Sequence, residues 1–220
     1  MITLVHPSRE RAEIAKKIYD EWLFKADAHF EYYLSIEHDQ EDDYLQYFDK
    51  KDIILGNNLT AIEAINNACK KIDFETLIVI SDDFHCREKW DLLINNATKN
   101  LNNYLLKTFD GMQSWLVTLP IMDKAFYDSC GYVYNPQYKH MFADTEMTAV
   151  AEMTGRLHFR NDIVFKHKQL NDALNARNDK TWGHGEAIYL ENYKKNFGIE
   201  NPVKQISDLA HNKWLKQHLK

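Results

Sequence analysis

The chain has 220 residues, of which 45% are hydrophobic, and carries a formal net charge of −6. This size suits one large domain with a real core, and the acidic balance argues against a general nucleic-acid binder, which needs a basic face. No apolar run approaches the roughly 18 residues of a membrane-spanning helix, and the opening residues lack the layout of a secretion signal. We therefore expect a cytoplasmic protein without a transmembrane segment.

Alternating strands and helices are predicted for the first half of the sequence. Apolar or β-branched runs indicate strands at 2–6, 29–37, 52–56 and 76–81. The last of these runs is apolar without alternation, which is typical of a strand buried on both faces of a helix-covered parallel sheet. We therefore predict an α/β fold with a Rossmann-type, mostly parallel sheet flanked by helices.

Two helices of the first half have recognisable starts. Ile14, Ile18 and Trp22 recur at helical spacing, and Ser8 is the predicted cap of that helix. The second helix begins at a Thr60-x-x-Glu63 pattern, which has the spacing of a capping box.

The second half is predicted to contain fewer strands and to end in helices. A strand that enters a helix is predicted at 115–122, a helix at 144–155 that Gly155 closes, and one or two strands within 156–167. The last fifty residues are predicted to be mainly helical, including a helix that stops at Gly198.

Two adjacent carboxylates, Asp82 and Asp83, directly follow the apolar strand. Ligands of open α/β sheets bind beyond the carboxyl ends of the strands. One interpretation is a solvated turn at a strand end, where aspartate is common. The other is a site for Mg²⁺ or Mn²⁺, which prefer oxygen ligands and take only one or two from protein when phosphates supply the rest.

Four short motifs occur in a characteristic order: HPSRER (6–11), AINNA (64–68), VISDDF (79–84) and ADTEM (143–147). In this order they resemble family 2 glycosyltransferases of the A-type fold, over roughly residues 1–170. The resemblance implies a nucleotide-sugar donor, with uridine diphosphate favoured, and a carbohydrate or other hydroxyl acceptor. It also implies a divalent cation, Mn²⁺ or Mg²⁺, as cofactor.

The resemblance places the nucleotide near the turn after the first strand and the second predicted helix. It implies that the nucleotide is bordered by Pro7, Ser8, Arg9 and Asn66. Asp39 is the closest match to the family's aspartate that reads the uracil edge. Glu37 competes with it, because the register of the acidic loop is ambiguous.

The SDD segment resembles the family's Asp-x-Asp motif. Its last residue, Asp83, then holds the metal that bridges the diphosphate, while Ser81 and Asp82 face the nucleotide sugar. Ser81 stands where the family has an aspartate. A histidine after a late strand resembles the family's third metal contact and indicates His167, with His184 as the rival.

The ADTEM motif resembles the family's Glu-Asp pair, whose aspartate is the general base. Asp144 matches that base, and Ala143 replaces the glutamate. An aspartate is ionised at neutral pH and can accept a proton. Asp144 is also predicted as a helix N-cap, and the two roles are compatible. The implied reaction is a one-step displacement that inverts the anomeric configuration.

A catalytic, nucleotide-sugar-binding domain is predicted for 1–170, with a helical extension at 171–220 packed on the same domain. Aromatic residues between the two acidic motifs are candidates for acceptor stacking or for core packing. They are Trp115, Tyr127, Tyr132, Tyr134 and Tyr138. Three alternative functions stay open: a sugar-phosphate nucleotidyltransferase, a glycoside hydrolase that uses paired carboxylates, and a non-catalytic nucleotide-sugar-binding protein of the same fold.

Overall fold

A computed structural model describes residues 1–168, 170 and 173–219. The strands are β1 (Ile2–Pro7), β2 (Glu31–Glu37), β3 (Ile53–Gly56), β4 (Thr76–Val79), β5 (Phe84–His85), β6 (Leu105–Phe109), β7 (Ile121–Asp123), β8 (Leu157–Val164) and β9 (Lys166–His167). The helices are α1 (Ala12–Phe24), α2 (Glu41–Tyr44), α3 (Ala61–Cys69), α4 (Trp90–Thr98), α5 (Lys124–Cys130), α6 (Ala143–Met153), α7 (Ala173–Asp179), α8 (Trp182–Lys194) and α9 (Leu209–His218).

A seven-stranded sheet with the order β3-β2-β1-β4-β7-β6-β8 forms the centre of the molecule. Strands β3, β2, β1 and β4 are parallel to one another, β7 is antiparallel to both of its neighbours, and β8 is parallel to β6. The predicted α/β class is therefore confirmed. Because the first four strands are parallel, their carboxyl ends meet along one edge of the sheet.

Strand β4 is buried on both faces, as its apolar sequence predicts. Leu77 and Val79 belong to the apolar cluster on one side of the sheet, and Ile78 and Ile80 belong to the cluster on the other side. Each fully buried side chain of this size stabilises the fold by about 1.5–3 kcal/mol. Burial on both faces holds the end of this strand, and the acidic segment after it, in a defined position.

The starts of helices α1 and α3 were predicted with different success. Helix α1 begins at Ala12 and has Arg11 as its N-cap, so the prediction that Ser8 caps it is wrong. The Ser8 hydroxyl instead bonds two buried partners described below. At α3 the Glu63 amide donates to Thr60 Oγ1 over 3.2 Å, which confirms the predicted cap. The Glu63 carboxylate accepts from the amide of Leu59.

The strand predicted within 115–122 forms only at the end of that range, and it enters a helix as predicted, because β7 leads directly into α5. Only Ile121–Asp123 is extended and paired. Upstream, the amide of Val117 donates to the Thr148 hydroxyl on α6, and Pro120 has no N–H with which to join a ladder. The carbonyl of Pro120 accepts from the amide of Val79 on β4, so this segment is bonded to α6 at Val117 and to the sheet at Pro120.

The later elements follow the prediction more closely. The stretch 156–167 contains β8 and β9, and Gly155 has a φ of +72° just after α6. Asp144 lies in the first turn of α6, and Phe142 is the N-cap, so the predicted N-cap position of Asp144 is wrong. Helix α8 ends at Lys194 and is followed by a 3₁₀ turn that reaches Gly198.

Aromatic side chains connect the C-terminal helices to the rest of the molecule. The ring of Tyr189 on α8 lies 5.7 Å from the ring of Phe142, and Trp214 on α9 lies 5.5 Å from it. Residues 169, 171, 172 and 220 lie outside the described residues, and the division into 1–170 and 171–220 stays a prediction. Among the described residues, no helix has both the length and the apolar character needed to cross a bilayer.

Gly185 allows α8 to pack directly against the backbone that precedes α6. A Cβ added at Gly185 would lie 2.2 Å from the carbonyl oxygen of Met141. Gly185→Ala is therefore expected to lower the free energy of unfolding by about 1–3 kcal/mol, as overpacking does. Gly183→Ala is the matched control in the same helix: its Cβ would meet no described atom within 4 Å, and the change should stabilise by up to about 1 kcal/mol. Urea unfolding of both variants checks this, and equal midpoints would contradict it.

Candidate active site

Two short strands, distant in sequence, bring Asp83 and His167 together. In the antiparallel pair of β5 and β9, Phe84 lies opposite His167, and their rings stack with centroids 4.4 Å apart. The amide of Lys168 donates to the carbonyl of Asp83, and the amide of His167 donates to the carbonyl of Asp110. The backbone on both sides of the pair is thus fixed by hydrogen bonds.

The Asp83 carboxylate is held from two directions. His167 Nε2 lies 3.2 Å from Oδ2, and the Ser81 hydroxyl donates to Oδ1 over 2.5 Å. Burial by itself raises the pKa of Asp83, but the bonds from His167 and Ser81 outweigh burial and hold the pKa below its ordinary value. Ser81 therefore orients the carboxylate of Asp83. Family 2 glycosyltransferases, which the sequence resembles, have an aspartate at the position of Ser81.

Asp83 and His167 fit a divalent cation that also has ligands from elsewhere. Their side chains are 10% and 19% exposed, so the pair borders solvent. An imidazole nitrogen beside a carboxylate oxygen suits Mn²⁺ better than Mg²⁺. Within the described residues, no group of three or more His, Cys, Asp or Glu side chains could hold a metal. Water and a bound ligand would have to supply the remaining oxygen ligands of such an ion.

The Asp82 side chain points into the protein and does not share the partners of Asp83, which are Ser81 and His167. Its Oδ1 accepts from His6 Nε2 over 2.9 Å and from the Ser8 hydroxyl over 2.8 Å. Its Oδ2 lies 3.5 Å from the guanidinium of Arg11. Asp82 is 4% exposed and His6 is fully buried. These contacts tie the turn after β1 to the segment after β4.

The same network continues to two buried tyrosines. His6 Nδ1 lies 2.9 Å from the Tyr32 hydroxyl, and the Ser8 and Tyr44 hydroxyls are 2.7 Å apart. The amide of Arg11 donates to the Tyr44 hydroxyl. One buried polar network thus joins β1, β2, α2 and the acidic segment. Removing one of its members would destabilise the fold, because buried polar groups would lose their partners.

Asp82→Ala is expected to lower the free energy of unfolding by about 3–5 kcal/mol. The substitution removes the buried carboxylate that His6, Ser8 and Arg11 contact. Asp82→Asn retains one acceptor oxygen and should cost less. Chemical unfolding measures both. Asp128→Ala, which removes an exposed partner of Lys124, is the control and should cost less than about 1 kcal/mol. If Asp82→Ala unfolds at the same denaturant concentration as the control, the network has no such energetic role.

Arg9 and Asp39, both predicted to border the nucleotide, lie side by side at the sheet edge. Arg9 donates to Asp39 Oδ2 over 3.2 Å, and the Asp39 side chain is 62% exposed. Glu37 is buried and accepts from the amide and the side chain of Asn58. Of the two rivals for the base-reading role, Asp39 is therefore the one that solvent and ligands can reach.

Asn66 uses its side chain to hold a loop. Its Nδ2 donates to the carbonyl of Tyr134 over 2.6 Å, and its Oδ1 accepts from the amides of Val133 and Tyr134. This loop precedes α6. A direct contact of Asn66 with a nucleotide stays a prediction, as does that of Pro7, the last residue of β1.

Asp144 lies on the first turn of α6, within electrostatic reach of His167. Its Oδ1 accepts from the amide of Thr145 over 2.8 Å. Burial raises the pKa of Asp144 above its ordinary value, while the bonds from Thr145 and the charge of His167 act against that rise. His167, which contacts Asp83, is thus also one of the groups that act on Asp144.

His140 was missed by the sequence interpretation, because no motif marks it. Burial lowers its pKa, and the charges of Asp179 and Asp83 oppose that change. It precedes Asp144 by four residues in sequence, and the charge of Asp83 acts on it. Arg11 was also missed, although it ends the HPSRER motif; its charge acts on the pKa of Asp83. His184, the rival of His167, is exposed near the start of α8.

Several aromatic candidates for acceptor stacking are instead part of the interior. Trp115 is buried and donates from Nε1 to Glu152. Tyr138 is buried and donates to Glu146, and Tyr127 packs edge-to-face on Phe74. Tyr132 and Tyr134 are only partly buried.

The chain, with an acidic segment at the carboxyl edge of its sheet, has the fold of the A-type glycosyltransferases, which act on nucleotide-diphospho-sugars. The mannosyltransferase PcManGT of Pyrobaculum calidifontis, in complex with GDP-Man and Mn²⁺, is similar over 91% of this chain and 65% of its own, with a TM-score of 0.64 and 13% identity. S. aureus TarS with UDP-GlcNAc is similar over 80% of this chain and 60% of its own, with a TM-score of 0.58 and 14% identity.

A third similar structure is glucosyl-3-phosphoglycerate synthase from Mycobacterium tuberculosis, in complex with Mn²⁺, UDP and phosphoglyceric acid. It matches over 93% of this chain and 80% of its own, with a TM-score of 0.62 and 9% identity. The chain spans less than two thirds of the first two structures. No protein-family model matches the sequence, and neither does any curated protein. At these identities the similarity establishes the fold.

Proposed function

We propose that this chain is a metal-dependent, inverting glycosyltransferase that moves a sugar from a nucleotide-diphosphate donor, with a UDP-sugar favoured, to an acceptor hydroxyl. The observation that carries the proposal is the Asp83–His167 pair, 3.2 Å apart at the carboxyl edge of an A-type glycosyltransferase sheet. His167 of this pair is also among the groups that act on the pKa of Asp144. The donor classes are supported by the similar structures, which contain GDP-Man and Mn²⁺, UDP-GlcNAc, or UDP and Mn²⁺.

In this proposal the turn after β1 and the loop after β2 bind the nucleoside. Arg9 and Asp39 are adjacent there, and Asp39 accepts from the base. Pro7 and Ser8 shape the turn, and the carboxylate of Asp82 holds it in place through Ser8 and His6.

Asp83 and His167 are the proposed ligands of Mn²⁺ or Mg²⁺. Such an ion supplies positive charge that stabilises the departing diphosphate. Ser81 keeps Asp83 in a single orientation. The lowered pKa of Asp83 keeps that carboxylate ionised across the physiological range.

Asp144 accepts the proton of the acceptor hydroxyl. The oxygen then attacks the anomeric carbon from the side opposite the leaving diphosphate, which inverts the configuration of the sugar. The raised pKa of Asp144 makes it a stronger base than an ordinary aspartate. No covalent sugar–enzyme intermediate forms, and no serine or cysteine acts as nucleophile.

The test is release of nucleoside diphosphate from a panel that includes UDP-glucose, UDP-GlcNAc and GDP-mannose, with and without Mn²⁺ and with simple sugar acceptors. Metal-dependent release, with an inverted product by NMR, is the expected result. Metal-dependent binding of UDP or GDP without turnover would replace the proposal with a non-catalytic binding protein. Absence of any nucleotide binding by calorimetry would overturn both. Release of pyrophosphate from a nucleoside triphosphate and a sugar phosphate would indicate a nucleotidyltransferase.

A further inference from the structure

Glu146 is a buried carboxylate whose described partners are all neutral donors. It is 4% exposed. Its Oε1 accepts from Asn135 Nδ2 over 2.6 Å. Its Oε2 accepts from the Tyr138 hydroxyl over 2.6 Å and from Asn192 Nδ2 over 2.8 Å. A buried charge is costly unless hydrogen bonds satisfy it, so this arrangement holds its parts firmly together.

The three donors come from two other parts of the chain. Asn135 and Tyr138 lie in the turn that precedes α6, and Asn192 lies on α8. Glu146 itself is on the first half of α6, so one carboxylate joins the helix, the turn before it and a C-terminal helix. The start of α6 is thereby fixed relative to both.

A carboxylate is the side chain that matches this set of donors. Glutamine would present an N–H₂ group to one of the donors and leave a buried clash of donors. Asn135 is not free to reverse its amide, because its Oδ1 accepts from the amide of Gln137. Both oxygens of Glu146 act as acceptors in this arrangement, and glutamine could replace it only if the Tyr138 hydroxyl and the Asn192 amide turned around.

Glu146 follows Asp144 by two residues, which places the two side chains about 200° apart around the helix. The two side chains therefore leave opposite sides of α6, where Glu146 is buried and Asp144 is partly exposed. The amide of Glu146 also donates to the carbonyl of Phe142, which closes the first helical turn around Asp144. Movement at Glu146 is transmitted directly to the backbone that carries Asp144.

We infer that Glu146 is the positioning residue for Asp144: it fixes the first turn of α6 so that the Asp144 carboxylate meets the acceptor hydroxyl. The inference rests on the proposed function for the role of Asp144. The anchoring itself can be measured without any turnover.

Glu146→Gln is the test. Displacement of a general base by an ångström costs about 10–100-fold in rate, so kcat should fall by about that factor. The affinity for UDP with Mn²⁺ should stay within about twofold of wild type, because the nucleotide contacts lie elsewhere. Hydrogen exchange of the 144–148 amides should speed up. The double variant Glu146→Gln/Asn192→Asp restores a carboxylate to the network and should recover part of kcat.

Glu152→Gln is the matched control on the same helix. Glu152 is also buried and accepts from Trp115, and a glutamine oxygen can still accept that bond. Its kcat and exchange near Asp144 should equal those of wild type. Should Glu146→Gln fail to fold, Asn192→Ala and Asn135→Ala each remove one donor and should lower kcat in the same direction.

The outcomes separate the two claims. Unchanged kcat or unchanged exchange at 144–148 in Glu146→Gln overturns the anchoring role. A wild-type protein that binds no nucleotide and transfers no sugar overturns the proposed function, while the exchange result still decides whether Glu146 anchors α6.

Discussion

Asp83→Ala is expected to reduce metal-dependent release of nucleoside diphosphate by about 10³-fold or more. Charge stabilisation by a bound metal is worth several kcal/mol, and each 1.36 kcal/mol is a factor of ten in rate. The substitution removes the carboxylate and leaves His167 Nε2 without its partner at 3.2 Å. The variant should also lose most of the increase in UDP affinity that Mn²⁺ gives to wild type, which calorimetry measures with and without the ion.

The fold must survive the Asp83 substitution for this result to be informative. Asp83 is buried, with 10% of its side chain exposed against 4% for Asp82. Its lowered pKa means that the ionised carboxylate stabilises the fold at neutral pH, so the melting temperature should fall and UDP binding without metal must be shown to persist in the variant. Asp128→Ala, on the remote helix α5, serves as the control for loss of an aspartate. If Asp83→Ala retains Mn²⁺-stimulated UDP binding at the wild-type level, the metal is held elsewhere or not at all. His167→Ala should reproduce the same loss to a smaller extent, since a second ligand remains.

Local sequence patterns predicted the parallel half of the sheet because they report burial directly. The uninterrupted apolar run of β4 was sufficient to indicate a strand covered on both faces, and Leu77 to Ile80 are buried accordingly. The start of α3 was predictable because a capping box involves residues only three positions apart. Both features depend on neighbours in sequence.

Contacts between distant residues were beyond such patterns. Nothing near Asp82 indicates that His6 and Ser8 bind it, so its inward orientation emerges only in three dimensions. The Asp83–His167 contact depends on pairing of two-residue strands, and the resemblance to a family, rather than any periodicity, suggested it. For the same reason the role of Glu146, whose donors lie up to 46 residues away, was not predicted.

Asp144→Asn is expected to lower kcat by about 10²–10⁴-fold, the usual contribution of a general base. Asparagine has nearly the same shape, and its Oδ1 can still accept from the amide of Thr145. The affinity for UDP with Mn²⁺ should therefore remain at the wild-type level, which distinguishes this variant from Asp83→Ala. If the variant loses both nucleotide binding and turnover, Asp144 acts on the donor rather than on the acceptor.

The pH dependence of wild type and Asp144→Asn provides an independent check on the same residue. Because burial raises the pKa of Asp144, kcat should fall as the pH drops through that raised value, when the base becomes protonated.

The stability of the fold should instead increase as the pH drops through the same value. A carboxyl whose pKa is higher in the folded state favours folding when protonated, and that advantage is lost as pH rises through the folded-state pKa. At neutral pH, Asp144→Asn should consequently melt at a higher temperature than wild type, with the difference vanishing in acid below the ordinary aspartate range. An active site that gives up stability for function has this signature, and a variant that is less stable than wild type at neutral pH would show that the ionised carboxylate supports the fold instead.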